Sequence, residues 1–249
     1  MSHRFLEPSA SSILGLTFLI GLCFAPRAEA VVITGCGGTA SCTLDQLLSG
    51  ASIMVDFEDP GANVVTFSNF LLNGSAIGDP DGSLIDVTGE AGPSLRARLR
   101  FDMGNEFLTE SAFVNPEIGL GFSYDVSSAV DAIVSNTLVL EGFDFPVNGE
   151  DGIVEVCEPD CMSAPTKRVF VEQQTGGEVK NLVSGPLPFD GGTVSTVMRA
   201  EDLDGETTAH LKSFNQTYTL ESATPIPEPT TLALLALGLA GLAAARRPY

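Results

Sequence analysis

From Asn63 onward, apolar and polar side chains alternate with a period of two, the spacing of a half-buried β-strand. Asn63–Leu72 is rich in Val, Thr and Phe. In Ser94–Asp102, Leu95, Ala97, Leu99 and Phe101 fall on one face and Arg96, Arg98 and Arg100 on the other. Leu120, Phe122, Tyr124 and Val126 repeat the pattern. Further strands are predicted at Thr137–Phe143, Gly152–Cys157, Arg168–Gln173, Gly192–Ala200 and Thr208–Leu220, separated by Gly, Pro, Asn and Asp turns. One helix precedes them. Thr43-Leu44-Asp45-Gln46 fits a capping box, in which Thr43 caps the helix and Gln46 reaches back to the cap's own N–H. Leu44, Leu47 and Leu48 share one face, and Gly50 ends the element. About ten strands with no long helical pattern predict a mainly β fold: a single antiparallel β-sandwich or jelly-roll-like domain over residues 31–224, with one short N-terminal helix.

The two ends follow other rules. Residues 1–30 have the layout of a signal peptide: His3 and Arg4 lead, an apolar run spans Ile13 to Phe24, and Ala28-Glu29-Ala30 gives the small-x-small pattern read by signal peptidase. The mature chain is expected to begin at Val31. At the other end, Thr230–Ala245 is uncharged and rich in Leu, Ala and Gly, and Arg246-Arg247 follow it. As a helix it spans about 24 Å, a little short of a ~30 Å hydrocarbon layer, and snorkelling arginines make up part of the deficit. The trailing arginines place the C-terminus on the cytoplasmic side and the bulk of the chain outside. Pro225-Ile226-Pro227-Glu228-Pro229 breaks any helix just before this segment and leaves an extended strip that a processing enzyme can grip.

Pro227-Glu228-Pro229-Thr230-Thr231-Leu232, the apolar run and Arg246-Arg247 together resemble the PEP-CTERM sorting signal of Gram-negative bacteria, here over residues 225–249. The resemblance implies a substrate of exosortase, a membrane-embedded cysteine transpeptidase, and sorting residues Pro227, Glu228, Pro229, Arg246 and Arg247. It also implies export across the inner membrane, a transient anchor there through the C-terminal helix, and a final place at the cell surface or in an exopolysaccharide or biofilm matrix. Pro248-Tyr249 after the arginines departs from the usual basic ending. Cys42–Leu48, Phe67-Ser68-Asn69-Phe70 and Lys212–Leu220 are similar to segments of many exosortase-sorted proteins, and they carry no family active site to transfer.

Composition narrows the chemistry. The chain of 249 residues has a net charge of −20. Within residues 31–226, eight Lys and Arg face 29 Asp and Glu, a net charge of −21. Such a surface repels nucleic acid and anionic membranes and attracts divalent cations. Cys36, Cys42, Cys157 and Cys161 remain after removal of the leader, an even number in an exported chain. Proximity in sequence favours the pairs Cys36–Cys42 and Cys157–Cys161.

Catalytic vocabulary is sparse. The chain has no Trp, and His210 is its only histidine beyond the leader. A serine-type triad therefore has one possible base, set in a strand-like run. A two-carboxylate hydrolase usually needs aromatic platforms for its sugar, which the absence of Trp weakens. Acidic residues do gather on two turns: Asp79 and Asp81 with Asp86, and Asp202, Asp204 and Glu206. Alternate acids on a Gly-containing turn supply oxygens for calcium, the one candidate cofactor, although neither segment completes an EF-hand loop and Asp-Gly and Asp-Pro are ordinary turn chemistry. Asn73-Gly74-Ser75 and Asn215-Gln216-Thr217 match the glycosylation sequon, as chance allows. The reading that follows is a non-catalytic exported protein. The alternatives are a carbohydrate-binding or adhesin-like module assisted by calcium, with exopolysaccharide as partner, and then a two-carboxylate hydrolase.

Overall fold

Alternating burial runs along several of the strands and sets which side chains meet. The structure, a computed structural model, describes residues 30–37, 41–57, 64–74, 76–78, 80–92, 95–109, 117–145, 151–162, 164–174, 177–203, 208–221 and 237. All but Leu237 belong to one compact unit, Glu29–Ala223. Its elements are β1 (Ala30–Thr34), β2 (Cys42–Thr43), α1 (Leu44–Leu48), β3 (Ser52–Asp56), β4 (Val64–Leu72), β5 (Asp86–Gly92), β6 (Arg96–Asp102) and β7 (Glu117–Ser128). They continue as β8 (Ala132–Asp144), β9 (Gly152–Glu158), β10 (Lys167–Gln174), β11 (Gly177–Asn181), β12 (Val183–Pro188), β13 (Gly192–Asp202) and β14 (His210–Glu221).

The strands form two antiparallel sheets, so the chain is mainly β with one short α-helix among the described residues. The larger sheet runs β1-β3-β4-β7-β13-β9-β10-β11 and the smaller β12-β8-β14-β6-β5-β2. Their inward side chains touch. Phe122 of β7 packs against Phe101 of β6 with ring centroids 5.1 Å apart, and Phe67 of β4 meets Tyr218 of β14 at 5.4 Å. Edge-on and offset ring pairs of this kind add to the area they bury. Leu99, Val126, Val154, Val169, Met198 and Phe214 continue the same buried layer.

Each of the eight strand segments expected from periodicity is a strand, and six more join them: β1, β2, β3, β5, β11 and β12. One strand boundary needs correction. Ala97, Leu99 and Phe101 are buried and Leu95 packs half-buried against the same core, but Leu95 lies in a turn with φ +55° and β6 begins only at Arg96. The period cannot extend through a residue in the left-handed region. The helix is as expected. Thr43 Oγ1 accepts from Gln46 N, Gln46 Oε1 accepts from Thr43 N at 2.9 Å, and Gly50 takes φ +99°. Leu44 and Leu47 are fully buried and Leu48 packs at the core's margin.

Among the described residues no helix is long and apolar enough to cross a membrane. The segment 230–245 expected to do so lies outside them except for Leu237.

Candidate functional site

The cysteine pairing is Cys36–Cys42 and Cys157–Cys161, with Cα separations of 5.3 and 5.1 Å. Each bridge closes a short loop, the first just before α1 and the second just after β9. Glu155 lies beside the second bridge. Both sulfurs there are spent on each other, and the carboxylate is held by Arg168 at 2.7 Å and Arg199 at 3.6 Å. This group therefore offers no free metal ligand.

The acidic turns do not converge on one point among the described residues. Asp81 Oδ1 accepts from Ser83 N at 2.8 Å, capping a single 3-10 turn at Gly82–Leu84, and these bonds hold its pKa below the ordinary carboxylate value. Asp86 is exposed and faces Asp102 across the β5–β6 ladder, while Asp202 is buried near the end of β13. Asp79, Asp204 and Glu206 lie outside the described residues, as do Ala28, Pro227, Glu228, Pro229, Arg246 and Arg247. Ala30 opens β1, opposite Asp56.

His210 is buried, with Nε2 2.8 Å from Gly104 O. That contact requires the proton on Nε2 and removes this nitrogen as a base. The sequon asparagines are also occupied. Asn215 is 1% exposed within β14. Asn73 donates through Nδ2 to Ser195 Oγ and accepts at Oδ1 from Ser123 Oγ, each at 3.2 Å.

Sequence patterning did not single out a buried polar chain that lies inside the inward layer. Tyr124 and Tyr218 place their hydroxyls 2.7 Å apart. Tyr218 donates to Gln216 Oε1 at 2.7 Å, and Gln216 Nε2 donates to Thr196 Oγ1 at 2.8 Å. Since Tyr218 spends its proton on Gln216, Tyr124 is the donor of the first bond. The chain thus runs one way and ties β7 and β13 of one sheet to β14 of the other. Burial, together with the nearby Glu158 charge, pushes both phenols well above their ordinary pKa, so they stay neutral donors.

Glu158 and Lys167 lie close by, facing each other at the paired ends of β9 and β10. Lys167 Nζ is 2.7 Å from Glu158 Oε2, and the two residues are 5% and 6% exposed. Asn136 Nδ2 reaches the same oxygen at 3.5 Å. Burial raises the Glu158 pKa, opposed by the Lys167 charge and by the hydrogen bonds from Lys167 and Asn136. The pair sits at a cavity of about 400 Å³ that Phe189, Pro159, Pro188 and Thr166 also line. A signal for it exists in the sequence. Period two puts Glu158 in step with Val154 and Val156, and Lys167 in step with Val169 and Val171, all four valines being buried.

Comparison with known proteins adds the C-terminal end. The PEP-CTERM protein-sorting motif matches residues 225–247. No curated protein matches the chain. The chain therefore carries a PEP-CTERM sorting signal, which marks an exported protein that exosortase processes at the membrane.

Proposed function

We propose that this protein is a non-catalytic exported β-sandwich, released by signal peptidase at Ala30, held briefly in the inner membrane, and cut by exosortase near Pro227-Glu228-Pro229. Its final place is the cell surface or the exopolysaccharide matrix. The observation that carries this reading is the sorting motif at residues 225–247. Two disulfides fit an oxidising compartment, and the two sheets with touching inward faces fit the sandwich. The non-catalytic reading draws on His210, whose Nε2 is spent on a backbone carbonyl.

Replacing Pro227, Glu228 and Pro229 with alanine in the native host tests this reading. Uncut full-length protein is expected to accumulate in the membrane fraction, while the wild-type chain is recovered outside it. An identical distribution of the two chains would overturn the reading. A second reading, a carbohydrate-binding module, draws on the cavity beside Glu158 and Lys167 more than on the acidic turns, whose described members do not meet.

A further inference from the structure

The larger sheet ends on β11, and that edge is open among the described residues. Every residue of β11 is exposed, including the apolar Val179 at 51%. The edges of the smaller sheet are blunted: β2 is two residues long, and β12 carries Pro186 and Pro188. The neighbouring strand fixes which backbone groups of β11 point outward. Arg168 of β10 donates its N–H to Ser184 Oγ at 3.3 Å and accepts at its carbonyl from Asn181 Nδ2 at 2.8 Å, so its backbone faces the β11–β12 side. By alternation Phe170, Glu172 and Gln174 face the same way, and they stand opposite Asn181, Val179 and Gly177. The N–H and C=O groups of Glu178 and Lys180 therefore point away from β10. No other backbone group bonds them among the described residues. Such a row is a template for another strand.

Glu178-Val179-Lys180 is its own complement when the second strand is antiparallel. Backbone bonds form only in registers that set outward-pointing residues opposite one another. Centred on Val179, the ladder puts Glu178 against Lys180 of the second copy and Lys180 against Glu178 of the second copy, so opposite charges face each other across each bonded pair. Slipping by one pleat in either direction sets Glu178 against Glu178, or Lys180 against Lys180, and like charges reject it. Val179 meets Val179 on the two-fold axis, at a non-bonded position where Cα atoms approach to about 4.5 Å. We propose that a second copy of this chain pairs with the first along β11 in this register, joining the two larger sheets. The contact is isologous and closes at two copies. It is short, so the dimer is weak and concentration-dependent. It draws nothing from the sorting signal, and either conclusion can fail without the other.

The test is sedimentation equilibrium of the protein as its host exports it, at ~0.15 M salt, where the Debye length of about 8 Å screens the net negative charge. A reversible monomer–dimer equilibrium is expected as concentration rises into the millimolar range. Glu178→Lys and Lys180→Glu should each weaken the dimer about tenfold or more, and the double exchange should restore it. Mixing the two single variants should give a heterodimer, since each supplies the charge the other lacks. General repulsion between acidic chains would instead move the two single variants in opposite directions. All these positions are exposed, and unchanged melting temperatures will show that the variants fold. Val179→Cys should form an intermolecular disulfide under mild oxidation, whereas Asn181→Cys, which the register sets against Gly177, should not. A monomer at every concentration, or a dimer indifferent to both charge exchanges, would overturn the proposal.

Discussion

Glu158 and Lys167 face each other in the inward layer, and the cost of each depends on the other. Lys167→Met leaves the Glu158 carboxylate buried without its counter-charge and should lower stability by about 3 kcal/mol. Adding Glu158→Gln removes the orphaned charge and should restore most of that loss, because well-packed neutral replacements of buried pairs are often neutral or stabilising. Urea denaturation of the single and paired variants checks both values. The same residue sets a pH dependence. Because burial raises its folded pKa, the stability that protonated Glu158 contributes is fully present below the ordinary glutamate value and declines as pH rises through the raised folded value. Relative to the paired variant, the wild-type protein should lose stability across that window, and a flat difference would show that Glu158 does not titrate as its surroundings dictate. The neighbouring hydroxyl chain makes a separate demand. Gln216→Met strands Tyr218 and Thr196 in the interior and should cost about 2 kcal/mol, against about 1 kcal/mol for Tyr124→Phe, which keeps the Tyr218–Gln216 bond.

At the scale of elements, two short devices hold their neighbours in place. The capping box of α1 satisfies the first free N–H groups of a helix only five residues long, and Thr43→Ala should destabilise the fold by about 1 kcal/mol. In β7, Gly121 lets Asn73 fold across the strand. Asn73 N donates to Gly121 O at 2.8 Å, and a Cβ on Gly121 would come within 2.5 Å of Asn73 O. Gly121→Ala should therefore cost about 2 kcal/mol through overpacking, measurable as a lower denaturation midpoint with an unchanged slope. Several strands legible in the sequence have one buried face, such as β6 and β13. Three that escaped notice give little apolar alternation to read, and β3 escaped although Ile53 and Val55 are buried on one face of its apolar run. Every residue of β11 is exposed, β12 carries two prolines at a sheet edge, and β5 is Gly- and acid-rich. The Glu158–Lys167 pair was legible in principle, since both residues occupy inward positions of valine-rich strands. Two charges there read locally as strand ends, and only the hairpin register brings them together.

For the whole molecule, the sequence is most explicit about destination, because a sorting signal is read as an extended strip, an apolar run and a basic end without any tertiary context. The pairing of four cysteines into two local bridges was legible for a similar reason, sequence proximity. The acidic turns show the opposite case: which carboxylates meet is decided by long-range packing, and Asp81, Asp86 and Asp202 stand apart in function, as a turn cap, an exposed ladder residue and a buried strand end. Exosortase processing is the central claim, and the mass of the exported protein tests it most directly. Intact-mass spectrometry of the chain recovered from outside the membrane should give an N-terminus at Val31, both disulfides formed, and a C-terminus near Pro229. A recovered chain that still carries Arg246-Arg247, in cells with active exosortase, would contradict it.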